Sequence, residues 1–184
     1  MEERVLKLDV KRPFGNLFRR KCVLIAAQDS EGHILIGAKP RFYPPTISRL
    51  LGGGVDGGES FVQAALRELE EELGVKLEAG SLTPLVLFET SATDEDGNEY
   101  YNETVVFGAT IGDQAYQPGD DVTHIIRMTP DEVYELGERY EQLPDALWHN
   151  GEEGLYAWSD YAKLYGPIHK VTADKIKAAR TLEG

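Results

Sequence analysis

The alternation of apolar and polar positions divides the chain into strand-like and helix-like stretches. Residues 22 to 37, CVLIAAQDSEGHILIG, hold two runs rich in β-formers joined by a polar segment containing Glu31-Gly32, the pattern of a hairpin. Residues 84 to 91, 99 to 111 and 122 to 128 read as three more strands, the first two separated by the turn-forming Asp94-Glu95-Asp96-Gly97-Asn98. Between Glu59 and Leu73 the period changes. Val62, Leu66, Leu69 and Leu73 recur at helical spacing and, at about 100° per residue, fall within about 60° of one another, an apolar stripe that needs a core to face. Gly74 stops that helix. A second helix is predicted to start at Thr129-Pro130-Asp131-Glu132, with Thr129 as the cap and proline at the first helical position. The rest reads as mostly helical, with breaks at Pro144, at 150 to 154 and at Gly166-Pro167.

At 184 residues, 41% hydrophobic and 28% charged, the chain has the composition of a globular protein, and one domain over 1–184 is the expectation. No internal repeat interrupts it. No apolar run reaches the ~20 residues of a membrane span, and MEERVLKLDV lacks a secretion-signal pattern, so a cytoplasmic location and no membrane partner are expected. The single cysteine, Cys22, sits in an apolar run and reads as a buried strand residue rather than half of a disulfide. A net charge of -13 opposes nucleic acid polymers as partners. A small phosphorylated ligand is still compatible with it, because a bound divalent cation reverses the local field of acidic side chains.

The chemistry concentrates in residues 53 to 75, GGVDGGESFVQAALRELEEELGV. On a helix, Glu68 and Glu72 are an i, i+4 pair and Glu68 and Glu71 an i, i+3 pair, so three carboxylates share one side while Glu70 points elsewhere. A solvated acidic face is the bland reading. A hard cation such as Mg²⁺ or Mn²⁺ is the functional one, because oxygen ligands suit it and it relieves their mutual repulsion. Arg67 could simply pair with Glu71 one turn away. Glycines at 52, 53, 54, 57 and 58 leading into the helix make a plausible cradle in which main-chain N–H groups approach a phosphate.

These residues match the Nudix box, G-x5-E-x7-R-E-U-x-E-E-x-G-U with U a bulky aliphatic residue, at Gly53, Glu59, Arg67, Glu68, Leu69, Glu71, Glu72, Gly74 and Val75. The chain therefore resembles the Nudix hydrolases. That resemblance implies an α/β fold, an α/β/α sandwich around a mixed sheet, here with a helical C-terminal extension. It further implies hydrolysis of a pyrophosphate bond, with Glu68, Glu71 and Glu72 holding Mg²⁺ or Mn²⁺, Glu59 and Arg67 as a supporting pair, and Gly53 and Gly54 at the ligand. The expected substrate is a small nucleotide, a nucleoside diphosphate linked to another group such as ADP-ribose or an NDP-sugar. Alternatives are a (d)NTP, or a catalytically silent module that senses nucleotides. A homodimer is compatible with the family. One departure lies upstream, where many relatives have proline before the first glycines and this chain has Leu51-Gly52.

Other candidates are weaker. A further acid for the metal site could come from Asp113, Asp120, Asp121 or Glu103, with Asp120 and Asp121 favoured by the Pro118-Gly119 turn. The loop 38 to 49 carries Lys39, Arg41, Phe42, Tyr43 and Arg49 around Pro44-Pro45, and could grip phosphate, stack on a base or merely connect strands. Trp148, Trp158, Tyr100 and Tyr101 are base-stacking candidates that read equally as core. His33, His124, His149 and His169 show no metal-ligand spacing.

Overall fold

A computed structural model describes residues 1–184. Strands β1 (Glu2–Asp9), β2 (Lys21–Asp29), β3 (Ile34–Ala38), β4 (Arg49–Gly54), β5 (Leu82–Thr93), β6 (Glu99–Gly112) and β7 (His124–Met128) form one sheet in the order β1-β5-β6-β2-β4-β3-β7. The sheet is mixed: β1 runs parallel to β5 and β2 parallel to β6, while the other neighbours are antiparallel. Helix α1 (Phe61–Leu73) covers one face. Helices α2 (Pro130–Glu141) and α3 (Trp158–Glu183) cover the other, and a short hairpin, β8 (Trp148–Gly151) and β9 (Gly154–Ala157), joins them.

Strand alternation assigns side chains to the two layers. Along β2, Val23, Ile25 and Ala27 face a cluster with Ala64, Ala65, Leu69 and Leu73 of α1. Their neighbours Leu24 and Ala26 face the larger cluster built with Leu136, Leu164, Tyr165 and Ile168 of α2 and α3. This is the expected α/β/α sandwich.

Local chemistry fixes the helix ends. Ser60 caps α1 in a reciprocal box with Gln63, and Gly74 closes it in the left-handed conformation at φ 68°. Thr129 and Glu132 form the same box on α2, with Pro130 in the first turn. The turn Asp94–Asn98 is present, and Gly97 takes φ 82° there.

Three expectations are corrected. The predicted hairpin of 22–37 does turn at Glu31-Gly32, but β2 and β3 pair only at Gln28 and Ile34, because β4 wedges between them. Gly52, Gly53 and Gly54 belong to that strand rather than to a loop. Gly166-Pro167 does not break α3: proline removes one backbone donor, yet Leu164, Tyr165 and Ile168 around it are fully buried and packing holds the helix together. Gly166 itself meets α2 closely, since a Cβ on Gly137 would lie 2.8 Å from the Gly166 carbonyl oxygen. Strand β1 is an addition to the expected elements, and its Leu6 and Leu8 pack on the cluster under α3.

Candidate active site

Within α1, Ala64, Glu68 and Glu72 lie in one i, i+4 row, and that row faces the end of β4. Glu68 is 7% exposed and Glu72 only 3%, so both carboxylates are buried. Glu71 lies on the rim, its side chain 44% exposed. Glycine is what allows this approach. A Cβ on Gly53 would sit 2.4 Å from Glu68 Oε1, and one on Gly52, at φ 142°, would sit 2.1 Å from the Val23 carbonyl oxygen.

Arg67 organises the mouth of the site. Its Nε and Nη2 donate to the two oxygens of Glu59 at 2.8 and 2.9 Å, a bidentate fork, and Nη2 also donates to the Gly54 carbonyl at 2.9 Å. Nη1 donates to Glu68 at 3.0 Å and to Glu71 at 3.3 Å. The Asp56 N–H donates to Glu59 Oε1 at 2.8 Å. The Arg67 hydrogen bonds, with the Asp56 amide second, hold the Glu59 carboxyl down at about 2.

Glu72 has the opposite environment. The Gly52 N–H donates to Oε1 at 2.8 Å. Burial nevertheless pushes its pKa up to about 8, against the Arg49 charge and that amide, and nearby Glu68 adds to the rise. Arg49 and Lys39 pull the other way without pairing with it, and burial outweighs them.

Both glutamates lie at a cavity of about 570 Å³, within the ~300–1,000 Å³ of small-ligand sites. Gly53 and Gly54 line it, and Arg19, Lys39, Arg49 and Arg67 supply cations around it. Tyr43, Phe42 and Tyr161 add aromatic surface. The donor set fits a hard divalent cation, because Glu68 and Glu72 bring two buried carboxyl groups to the cavity and only Glu68 is paired with a guanidinium, that of Arg67. The three glutamates are not yet gathered: no group of three His, Cys, Asp or Glu side chains stands close enough together to hold an ion, and Glu71 is engaged by Arg67.

The remaining candidates separate cleanly. Asp120 and Asp121 reach the cavity, with Lys39 Nζ donating to Asp121 at 2.9 Å. Glu103 lies elsewhere, in a groove with Arg20, Lys21, Glu89 and Tyr101, and Asp113 is exposed after β6. Lys39, Phe42, Tyr43 and Arg49 of the 38–49 segment line the cavity, whereas Arg41 does not. Trp158 is buried among aromatic rings, Trp148 packs under Lys11, and Tyr100 donates to Asp94, so none of these meets the cavity. His169 is buried, and its ring serves two backbone groups. Nε2 accepts from the Leu50 N–H at 3.1 Å, and Nδ1 therefore carries the proton given to the Tyr165 carbonyl at 2.6 Å. His33, His124 and His149 are absent from the cavity lining.

Residues 18–158 match the family model described as NUDIX domain. The chain belongs to the Nudix hydrolase family. It is 30% identical over 162 residues to an uncharacterized Nudix hydrolase of Yersinia pestis, an alignment spanning 79% of this chain and 78% of that one. A second uncharacterized Nudix hydrolase, from Streptomyces coelicolor, is 36% identical over 87 residues, 46% of each chain, so that match spans about half the length of that relative. The crystal structure of a Nudix hydrolase from M. smegmatis, RenU, superposes with a TM-score of 0.51 at 20% identity, covering 85% of this chain and 87% of that one, a likeness of fold. The Nudix match ends where α3 begins, yet Tyr161 of α3 lines the cavity. Tyr161, Asn16, Arg19 and Glu153 also line the cavity and carried no signal in the sequence, because each comes from a segment distant from the box.

Proposed function

We propose that this protein hydrolyses a pyrophosphate bond in a small nucleotide, a nucleoside diphosphate linked to another moiety such as ADP-ribose or an NDP-sugar, using Mg²⁺ or Mn²⁺ held by Glu68, Glu71 and Glu72. The observation that carries this reading is the pair of buried carboxylates, Glu68 and Glu72, at a cavity ringed by Arg19, Lys39, Arg49 and Arg67. When bound there, the cation supplies polarisation of the phosphate oxygens and an acidified water.

The chain's own groups do the rest. Glu71 would join the ligand set on leaving Arg67, a contact that is long at 3.3 Å and exposed. The Glu59 fork keeps Arg67 in place beside Glu68 as this happens, so Glu59 and Arg67 are positioning residues. Arg19 and Lys39 offer charge-assisted hydrogen bonds to phosphate oxygens. The proton of the attacking water goes to one of the site carboxylates, among them the three glutamates and, from outside the box, Asp120 or Asp121. A (d)NTP is the alternative substrate of the same reaction class. Retention of every box glutamate favours turnover over silent nucleotide sensing.

A mass-spectrometric screen of NDP-sugars, dinucleotide polyphosphates, CoA and (d)NTPs with Mg²⁺ tests this reading. The parent is expected to cleave at least one compound between phosphates, and Glu72→Gln to lose that activity. Equal cleavage by parent and variant on every compound, or no cleavage at all, would overturn it.

A further inference from the structure

Helix α3 lies beyond the segment that matches the family model, and it is connected to Glu72 by an unbroken set of polar contacts. Arg49, the first residue of β4, sits over the ring of Tyr165, its guanidinium carbon 5.4 Å from the centroid. Its Nη1 donates to the Tyr161 and Tyr165 hydroxyls at 3.4 and 3.5 Å. Nε donates to the Leu50 carbonyl at 3.2 Å, and Nη2 donates to the Gly52 carbonyl at 3.0 Å. The same glycine gives its N–H to Glu72 Oε1 at 2.8 Å. Gly52 therefore has the guanidinium on its carbonyl and the carboxylate on its amide.

The surrounding contacts leave β4 little freedom. The Leu50 N–H is taken by His169 of α3, and the Ser48 carbonyl accepts from the Tyr140 hydroxyl of α2 at 2.6 Å. Behind Gly52 the Val23 carbonyl stands where a Cβ would be, so the peptide cannot retreat toward β2. On the carbonyl side of Gly52 stands the Arg49 guanidinium.

We propose that Arg49, held by Tyr161 and Tyr165 of α3, is a positioning residue that fixes the Gly52 peptide and through it the Glu72 carboxylate in the orientation that receives a divalent cation. The inference rests on the metal-site reading above. It makes α3 a working part of the site, although none of its residues would touch the metal. Lysine at position 49 would keep the positive charge and lose the planar fork, so it separates geometry from charge.

Mn²⁺ binding to the full chain, followed by electron paramagnetic resonance of the free ion, decides the matter without any substrate. Arg49→Lys is expected to weaken Mn²⁺ binding about tenfold, with a shifted Gly52 amide resonance. The double variant Tyr161→Phe/Tyr165→Phe keeps the guanidinium and should weaken binding about two- to threefold. Parent affinity in both variants overturns the proposal, as does a raised KM for a cleaved substrate with Mn²⁺ affinity unchanged, which would make Arg49 a substrate contact instead. If Arg49→Lys fails to fold, the double tyrosine variant decides alone. Glu72→Gln measured alongside keeps the two readings apart: loss of Mn²⁺ binding there with parent affinity in the Arg49 and tyrosine variants removes only the role of α3, whereas parent affinity in Glu72→Gln removes the metal site itself.

Discussion

The two faces of the sheet each bury a titratable side chain, and they treat it in opposite ways. On the α3 face, His169 has a backbone partner for each ring nitrogen, and burial lowers its pKa to about 4, so it is neutral and fully satisfied. On the α1 face, Glu72 has one amide donor, and burial raises its pKa to about 8. The first is a finished piece of structure. The second is an electrostatic deficit that folding tolerates and a cation would relieve, which is the physical difference between a core and a binding site.

The largest effect expected from that contrast is on chemistry. Glu72→Gln should lower kcat by about 10²–10⁴-fold, while the apo protein becomes more stable at pH 8 because a disfavoured buried charge is gone. Loss of both activity and stability would mean that Glu72 is structural, like His169. Denaturant midpoints measured with EDTA give the second half of that comparison.

The pH dependence of stability should run in opposite directions for the two groups. A base whose pKa falls from 6.5 to about 4 on folding stabilises the protein fully above pH 6.5 and loses that contribution as pH falls through 4, because the unfolded chain then binds the extra proton. The size is about 3 kcal/mol. An acid raised from 4.5 to about 8 favours the folded state most below pH 4.5 and loses that advantage as pH rises through 8. In urea titrations from pH 4 to 7, His169→Gln should therefore remove a rising component of stability. A variant curve parallel to the parent's would sink the assignment.

Smaller effects sharpen the boundary of the site. Arg67→Lys keeps the charge and loses the fork on Glu59, and should cost about 10–100-fold in metal affinity or activity. Gly53→Ala places a methyl 2.4 Å from Glu68 Oε1, so activity should fall about tenfold, within the range for displaced metal-site supports. Tyr101→Ser, on an exposed ring outside the cavity, should leave activity unchanged and stability within about 0.5 kcal/mol. A large loss there would point to a second functional surface.

How much of this was legible depended on whether the deciding interactions were local. Helix α1 with its caps, the helix start at Thr129, the turn at Asp94–Asn98 and the shared side of Glu68, Glu71 and Glu72 follow from spacing within a few residues, because helical geometry converts sequence distance directly into direction. Which of the three glutamates would be buried did not follow from that spacing, since it depends on where β4 lies. Long-range pairing was equally invisible: β4 inserts between β2 and β3, and β1 pairs with β5 some eighty residues away. The Gly166-Pro167 pair reads as a break until packing on both sides holds the helix through it.

The amino-acid order alone determined the family, the reaction class it implies and the acidic helix that would carry it, because a contiguous motif of fixed spacing needs no partner to be read. Only the tertiary structure decided that Glu68 and Glu72 are enclosed while Glu71 is not, that the glycines of β4 make room for them, and that Arg49 and the tyrosines of α3 stand behind Gly52. Burial and hydrogen bonding between distant segments are properties of the packed sheet, and no local pattern encodes them.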